Sequence, residues 1–327
     1  MRPRWVSLMG MDDLTGDHLP RPFDNDPAVR AHRAHQGRWR RETLQWPAGP
    51  PTDSRARSRY PTLDSCLAEE HEGISAQEEG LNLMSDAARE YARKRLSELK
   101  PIGGLAEKDR LWRNLLSSQP LAFSIAGELR AHPSAAAAMF AELTGADVRA
   151  LGRLDDPSHQ LNGIEAEWFP PRDLHTRDRS GFDVAAILEL ADDSRLLVTV
   201  EVKYVDTFSP TKLDPECYAA ALSEIGLAPV DAKEIVDQGG SQFLRSVLLT
   251  DSVRRTGVRG EGGVDQAMAV VLTRGDDSRA ASVVSALHQH AMPTSVALWS
   301  HENFFNAASS QPALLEWAAR MSDRYLL

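Results

Sequence analysis

The two segments that decide the fold read GFDVAAIL at residues 181–188 and VEVKY at residues 200–204. Both have the apolar composition of strands inside a sheet, apart from two carboxylates, Asp183 and Glu201, and one lysine, Lys203. An unpaired charge in a sheet interior is costly, so such groups usually have a partner, a metal or a chemical task. This hairpin is therefore the first place to look for function.

The turn between the two strands controls which of these side chains meet. Alternate residues of a strand share a face, so Glu201 and Lys203 point to the same side. A turn centred between residues 192 and 193 places Asp183 opposite Val202, whereas a loop longer or shorter by one residue places it opposite Glu201 or Lys203. The sequence alone leaves these registers open. When the loop is longer or shorter by one residue, directly opposite Cβ atoms lie about 4.5–5.5 Å apart, which is close enough for two carboxylates to hold one divalent ion.

The chemistry of such a pair is that of a hard cation site. Carboxylate oxygens suit Mg²⁺ or Mn²⁺, and Mg²⁺ commonly keeps waters and takes phosphate oxygens from its substrate. Such an ion polarises a phosphoryl oxygen and makes a bound water more acidic, while a nearby lysine can orient that water. The pattern predicts phosphodiester hydrolysis. A lone Glu-x-Lys on a solvated strand is the alternative, and the apolar flanks argue against it.

Periodicity divides the chain into three parts. We predict a disordered leader over residues 1–26, a helical N-terminal region packed on the core over residues 27–160, and an α/β core over residues 161–327. Within the core, strands predicted at 164–169, 182–190, 195–204, 267–273 and 294–299 are interleaved with helices. This interleaving predicts an α/β fold with a mixed central sheet flanked by helices.

Composition restricts the class of protein further. A net charge of −10 argues against a protein that coats nucleic acid without selection, although the first 60 residues are basic, with 11 arginines. No apolar run approaches the 18 residues of a transmembrane helix, and no signal-peptide core precedes the first Pro-rich stretch. The two cysteines, Cys66 and Cys217, show no metal or redox spacing. We expect a cytoplasmic protein with no membrane partner.

The hairpin residues resemble those of the PD-(D/E)xK nuclease superfamily, whose core hairpin carries an Asp followed by Glu-x-Lys. Further segments resemble a restriction-endonuclease-like branch of mostly uncharacterised bacterial proteins: RSGFDV at 179–184, EWFPPR at 167–172 and NLLSSQPL at 114–121. The resemblance covers roughly residues 30–325. It implies a restriction-endonuclease-like mixed sheet with a helical N-terminal half.

The resemblance also implies roles for the hairpin residues. Asp183, Glu201 and the backbone carbonyl of Val202 would be ligands of Mg²⁺ or Mn²⁺. Lys203 would act at the attacking water.

Other candidate residues each have a structural alternative. Glu167 is a candidate additional acid or a solvated charge. Gln242 is a candidate support of the site or a surface glutamine, because Ser246 stands where some relatives carry Tyr. Glu128 is a candidate helix-borne acid or an exposed charge. A basic loop before Asp183 suits either phosphate contact or solvation, and its arginines are Arg172, Arg177 and Arg179.

These observations predict a metal-dependent nuclease, acting on DNA rather than RNA, by internal or terminal cleavage. The alternative is a catalytically inactive module of the same fold that binds nucleic acid or a protein partner. The sequence leaves the assembly open, a homodimer included.

Overall fold

The computed structural model describes residues 26–102, 108–156, 159–177, 180–209, 213, 218–260 and 262–327. The leader predicted over residues 1–26 lies outside these ranges, apart from Asp26. The described residues form two compact units, one built from residues 26–83, 108–120 and 327 and the other from residues 84–102 and the described part of 121–326. The domain boundary predicted at residues 160–161 stays a prediction.

Helices and strands have the following bounds. The α-helices are α1 (Pro27–Trp39), α2 (Ser54–Arg57), α3 (Ala76–Glu79), α4 (Asp86–Leu99), α5 (Lys108–Arg113), α6 (Ser118–Ala131), α7 (Pro133–Thr144), α8 (Ala219–Glu224), α9 (Pro229–Asp237), α10 (Ser241–Thr256), α11 (Ser278–His288), α12 (His301–Ser309) and α13 (Leu315–Tyr325). The strands are β1 (Ala48–Gly49), β2 (Leu63–Leu67), β3 (Glu70–His71), β4 (Ile74–Ser75), β5 (Val148–Leu151), β6 (Arg153–Leu154), β7 (Leu161–Asn162), β8 (Ile164–Trp168), β9 (Phe182–Leu190), β10 (Arg195–Val202), β11 (Gln266–Thr273) and β12 (Ser295–Ser300).

In the first unit, a buried ion pair joins α1 to β2. A π-helical turn, Arg40–Leu44, continues α1 and places the fully buried guanidinium of Arg40 2.6 Å from Asp64 on β2. Although burial acts in the opposite direction, hydrogen bonds from Arg41 and Arg40 hold the pKa of Asp64 below its ordinary value. The helix over residues 27–44 thus changes from α-helical to π-helical at Arg40.

The second unit is built on a mixed sheet of six strands. Its order is β12-β11-β10-β9-β5, and β8 also pairs with β9. The pairs β10–β11 and β11–β12 are parallel, whereas β9 is antiparallel to β10, β8 and β5. β10 is central and is buried beyond its first residue, as its apolar composition on both faces predicts. The predicted mixed α/β architecture is confirmed.

Helix α10 crosses one face of this sheet. Leu249 and Val253 of α10 belong to an apolar cluster with Ile187 of β9 and Leu197 of β10. Between these apolar contacts and the end of β10, the Thr250 hydroxyl lies 2.6 Å from that of Thr199. Because both hydroxyls are buried and that of Thr250 already donates to the carbonyl of Ser246 (2.7 Å), the Thr199 hydroxyl finds this partner only when helix and strand are in register. The first turn of α10 is thereby placed over the end of β10.

A close approach of two helix backbones places α4. An ideal Cβ at Gly127 of α6 would lie 2.5 Å from the Cα of Ala88 on α4. We expect Gly127→Ala to lower the free energy of unfolding by about 1–3 kcal/mol, because the overpacking of the helix contact exceeds the gain in helix propensity. Urea denaturation measures this change. An unchanged midpoint would mean that α4 and α6 are free to separate.

None of the helices in the described ranges combines the length and apolar character that a bilayer crossing requires.

Candidate active site

A three-residue loop sets the register of the β9–β10 hairpin. The amide of Leu190 donates to the carbonyl of Ser194 (2.8 Å), and the amide of Asp193 donates to the carbonyl of Leu190 (3.1 Å). Asp193 adopts a left-handed backbone with φ 64°. A turn followed by one left-handed residue is the usual form of a three-residue hairpin loop, and Asp tolerates that conformation. The centre of the turn is therefore residue 192 itself, not the bond after it.

This register aligns the two acids of the hairpin. Val200 pairs with Val184, so the next opposed positions along the strands are Glu201 and Asp183. Directly opposed residues of an antiparallel pair share a face and lie close together. Of the registers that the sequence left open, the structure has the one that brings the two carboxylates together.

Glu167 extends this alignment to a third strand. The residues on either side of Glu167 pair with those on either side of Asp183, so the two acids occupy opposed positions of β8 and β9. Glu167, Asp183 and Glu201 thus form a row across three neighbouring strands, which we call the acid row. Glu167 is partly exposed, whereas Glu201 is buried.

Electrostatics at Asp183 reflect this crowding. Burial, followed by the negative charge of Glu201, raises the pKa of Asp183 well above its ordinary range, and Glu167 adds to the shift. The positive charge of Lys203 acts in the opposite direction. One oxygen of Asp183 accepts a hydrogen bond from the amide of Val202 (2.8 Å), which ties the acid to the end of β10. A positive charge arriving at this position would relieve the repulsion.

Lys203 is held as an ammonium beside Glu201. Its Nζ lies 2.7 Å from Glu201 Oε1, and both side chains are buried. Although burial acts to lower it, the charges of Glu201 and Asp183 raise the pKa of Lys203 above its ordinary value. Lys203 is therefore a charged hydrogen-bond donor at neutral pH and not a proton acceptor.

Gln242, in the first turn of α10, joins the acid and the lysine. Its Nε2 donates to Glu201 Oε1 (2.5 Å), and its Oε1 accepts from Lys203 Nζ (3.2 Å) and from the amide of Ser209 (2.6 Å). One turn later, the Ser246 hydroxyl donates to the other oxygen of Glu201 (3.3 Å). The structure thus places Gln242 in contact with Glu201 and Lys203, where it is half-buried and not a solvent-exposed glutamine of the helix. The Ser at 246 keeps a contact with the acid although it replaces the expected Tyr.

The family model of the PD-(D/E)XK nuclease superfamily matches residues 22–327. The chain belongs to the PD-(D/E)XK nuclease superfamily. This match confirms, at the level of the family, the resemblance found in the hairpin residues. Members of this superfamily are usually nucleases that use divalent metals. No curated protein and no solved structure matches the chain.

The donor set of this superfamily member fits a hard divalent cation. Within the described ranges, no group of three or more His, Cys, Asp or Glu side chains is arranged to hold a metal. Asp183, which is half-buried, and Glu201, which is buried, are neighbouring oxygen donors whose charges repel, and the carbonyl of Val202 at the end of β10 is the predicted third donor. Mg²⁺ accepts so few protein ligands because water and phosphate oxygens complete its shell.

The remaining predicted residues lie elsewhere. Glu128, near the end of α6, is buried and not an exposed charge, and it lies 3.6 Å from His132, the residue that follows this helix. Arg172 and Arg177 are exposed in the loop before β9, and Arg179 lies outside the described residues. These arginines stay candidates for phosphate contact.

Two residues of this nuclease-superfamily site were missed by sequence reasoning. The ring Nε2 of His301, the first residue of α12, lies 2.9 Å from the carbonyl of Lys203 and is fully buried. Arg95 of α4 donates to the carbonyl of Glu167 (3.0 Å). The one sequence feature that could have indicated His301 as a site residue is its position just after β12, a strand parallel to β11 and β10. Arg95 carries no local signal.

Gln242→Met tests the bridge between the acid and the lysine. We expect cleavage to fall by about 10–100-fold, because outer groups that orient a metal ligand typically contribute this much. The ion pair of Glu201 and Lys203 remains in this variant, so its thermal midpoint should change little. Gln238→Met, at an exposed glutamine beyond the end of α9, is the matched control. Equal rates for the two variants would show Gln242 to be dispensable.

Proposed function

We propose that this protein is a metal-dependent nuclease that hydrolyses phosphodiester bonds of DNA at the acid row. The observation that carries the proposal is the register of the β9–β10 hairpin, which opposes Asp183 to Glu201 while Lys203 pairs with Glu201. Superfamily membership makes phosphodiester hydrolysis the expected chemistry. The assignment of these particular residues is our own.

In the proposed mechanism, Asp183, Glu201 and the carbonyl of Val202 hold Mg²⁺ or Mn²⁺. When bound, the metal supplies a polarised phosphoryl oxygen and a more acidic water. The ammonium of Lys203 orients the attacking water through a hydrogen bond and offsets negative charge that develops on the phosphate. Glu167 is the third acid, and Gln242 keeps the Glu201 carboxylate and the Lys203 ammonium in place.

The loop before β9 is the segment that we expect to contact the phosphates of the substrate. Its exposed arginines, Arg172 and Arg177, precede Asp183 in the chain and suit contacts to phosphate oxygens. The overall charge of −10 opposes non-selective binding, so we expect affinity to depend on this local basic segment. Single- or double-stranded DNA, and cleavage inside or at the end of a strand, are outcomes of the assay below.

The test is cleavage of supercoiled plasmid, linear duplex and single-stranded DNA by the purified protein with Mg²⁺, Mn²⁺ or EDTA, beside Lys203→Ala. Metal-dependent cleavage that disappears in the variant supports the proposal. Loss of supercoil without shortening of linear DNA identifies internal cleavage. Equal cleavage by the variant would point to a contaminating nuclease and contradict the assignment.

The alternative is an inactive member of the superfamily that binds nucleic acid or a protein. Thermal melting with Mg²⁺ or Mn²⁺ separates the two, because a ligand that binds only the folded state raises the melting temperature. A protein that binds DNA but neither cleaves it nor responds to metal would establish the alternative. Light scattering in the same buffers decides between monomer and homodimer.

A further inference from the structure

The backbone of Glu167 has an unusual conformation for a strand residue. Its φ of 48° lies in the left-handed region, although its neighbours in β8 keep their pairing with β9. A non-glycine residue held in such a region costs about 1–3 kcal/mol and persists only where its surroundings enforce it. The enforcing contacts should therefore be visible around residue 167.

Those contacts come from helix α4. Arg95 is buried, and its Nε donates to the carbonyl of Ala166 (2.9 Å) while its Nη2 donates to the carbonyl of Glu167 (3.0 Å). On the same helix, the Tyr91 hydroxyl accepts from the amide of Ala166 (2.7 Å) and donates to Glu165 (2.8 Å). Arg95 thus holds the peptide groups on both sides of Glu167, and Tyr91 holds the peptide group before them.

We propose that Arg95 is a positioning residue that holds Glu167 in its left-handed conformation and so keeps its carboxylate in the acid row opposite Asp183. This inference rests on the proposed metal-dependent cleavage, because it makes the negative charge of Glu167, which acts on Asp183, part of the field that attracts the metal. The guanidinium is suited to the task, since its planar fork donates to two successive carbonyls at once. Lysine offers a single point of donation and cannot replace it.

Arg130 is a matched comparison on the same strand. It donates to the carbonyls of Asn162 (2.5 Å) and Ile164 (2.6 Å) and pairs with Glu165 (2.7 Å). Arg130 therefore contacts backbone carbonyls at and just before the start of β8, whereas Arg95 contacts backbone carbonyls in its second half. Arg130→Lys should loosen the strand without acting on Glu167.

The experiment is a double-mutant cycle of Arg95→Lys and Glu167→Gln, with Mn²⁺ affinity measured by calorimetry and melting temperature recorded for each variant. We expect Arg95→Lys to weaken Mn²⁺ binding by about 10-fold in the wild-type background, as outer groups of metal sites do. In the Glu167→Gln background the same change should alter affinity less than about 2-fold, because the residue through which Arg95 acts is already neutral. Arg130→Lys should lower the melting temperature and leave Mn²⁺ affinity unchanged.

Equal weakening by Arg95→Lys in both backgrounds would overturn the proposal, and so would a similar loss of affinity in Arg130→Lys. If Arg95→Lys does not fold, Tyr91→Phe, which removes only the hydroxyl contacts to Ala166 and Glu165, takes its place with the same expected coupling. A wild-type protein that binds Mn²⁺ and cleaves DNA, with Arg95→Lys unaffected, overturns this inference alone. A wild-type protein that does neither overturns the proposed function as well.

Discussion

Lys203→Met is expected to reduce metal-dependent cleavage by about 10³-fold or more while metal binding remains. Removing one preorganised hydrogen-bond donor from a water-excluded active site lowers the rate by about 10²–10³-fold. We expect a larger effect here because Lys203 also carries a full positive charge. Methionine keeps most of the apolar stem that the buried lysine packs into the site. Lys203→Ala should lose cleavage equally but with a larger loss of stability, since removing one partner of a buried ion pair costs about 3–5 kcal/mol.

Metal affinity distinguishes this loss from a collapse of the site. Without its ammonium partner, Glu201 has more negative potential to offer a cation, so Mn²⁺ affinity measured by calorimetry should be unchanged or tighter. Lys233→Met, at an exposed lysine paired with Asp237 on α9, is the control for removing a positive charge. Unchanged turnover in Lys203→Met would remove Lys203 from the mechanism.

Asp183→Asn should give the opposite pattern, with metal binding lost and stability gained in EDTA. Burial and the charge of Glu201 raise the pKa of Asp183, which means that the folded state resists ionisation of this carboxyl. Asparagine has a similar shape and carries no charge, so the repulsion with Glu201 disappears. The variant should therefore melt at a higher temperature than wild type when no metal is present, and it should bind Mn²⁺ at least about 10-fold more weakly.

The pH dependence has a definite sign. Between the ordinary carboxyl pKa of about 4 and the raised value, the folded state binds more protons than the unfolded state, so stability falls as pH rises through this window. Asp183→Asn removes this contribution, and the stabilising effect of the variant should grow with pH until the folded carboxyl is ionised. Melting curves in EDTA across pH 4 to 8 measure the difference. A variant that is less stable than wild type at every pH would contradict the repulsion.

Added Mn²⁺ should make the wild-type protein more stable than Asp183→Asn, the reverse of their order in EDTA. At a concentration about 100 times the dissociation constant, bound Mn²⁺ adds about 2.7 kcal/mol to the wild-type protein, a rise of several degrees in melting temperature. Asp183→Asn should show almost no rise. An equal rise in both proteins would show that the ion binds elsewhere.

Much of the fold could be predicted because its segments carry strong local patterns. The strand predicted over residues 182–190 has those bounds in the structure, and the strand predicted over residues 267–273 begins one residue earlier. Short or partly exposed elements were missed. β5 has no fully buried residue, and α12 begins directly where β12 ends, without the intervening turn that separates most elements.

By itself, the sequence determined the two strands of the hairpin, the face shared by Glu201 and Lys203, and the superfamily. The strands and the shared face follow from a period of two within one strand, which needs no knowledge of the neighbours. The superfamily follows from the resemblance of the hairpin motif and is shown by the family model. Only the tertiary structure decided that Asp183 opposes Glu201, because one left-handed residue at Asp193 changes the parity of the loop. Gln242 and Arg95 reach the acid row from helices about 40 and 70 residues away from the residues they contact. Such contacts depend on how α10 and α4 pack, and local periodicity carries no record of that packing.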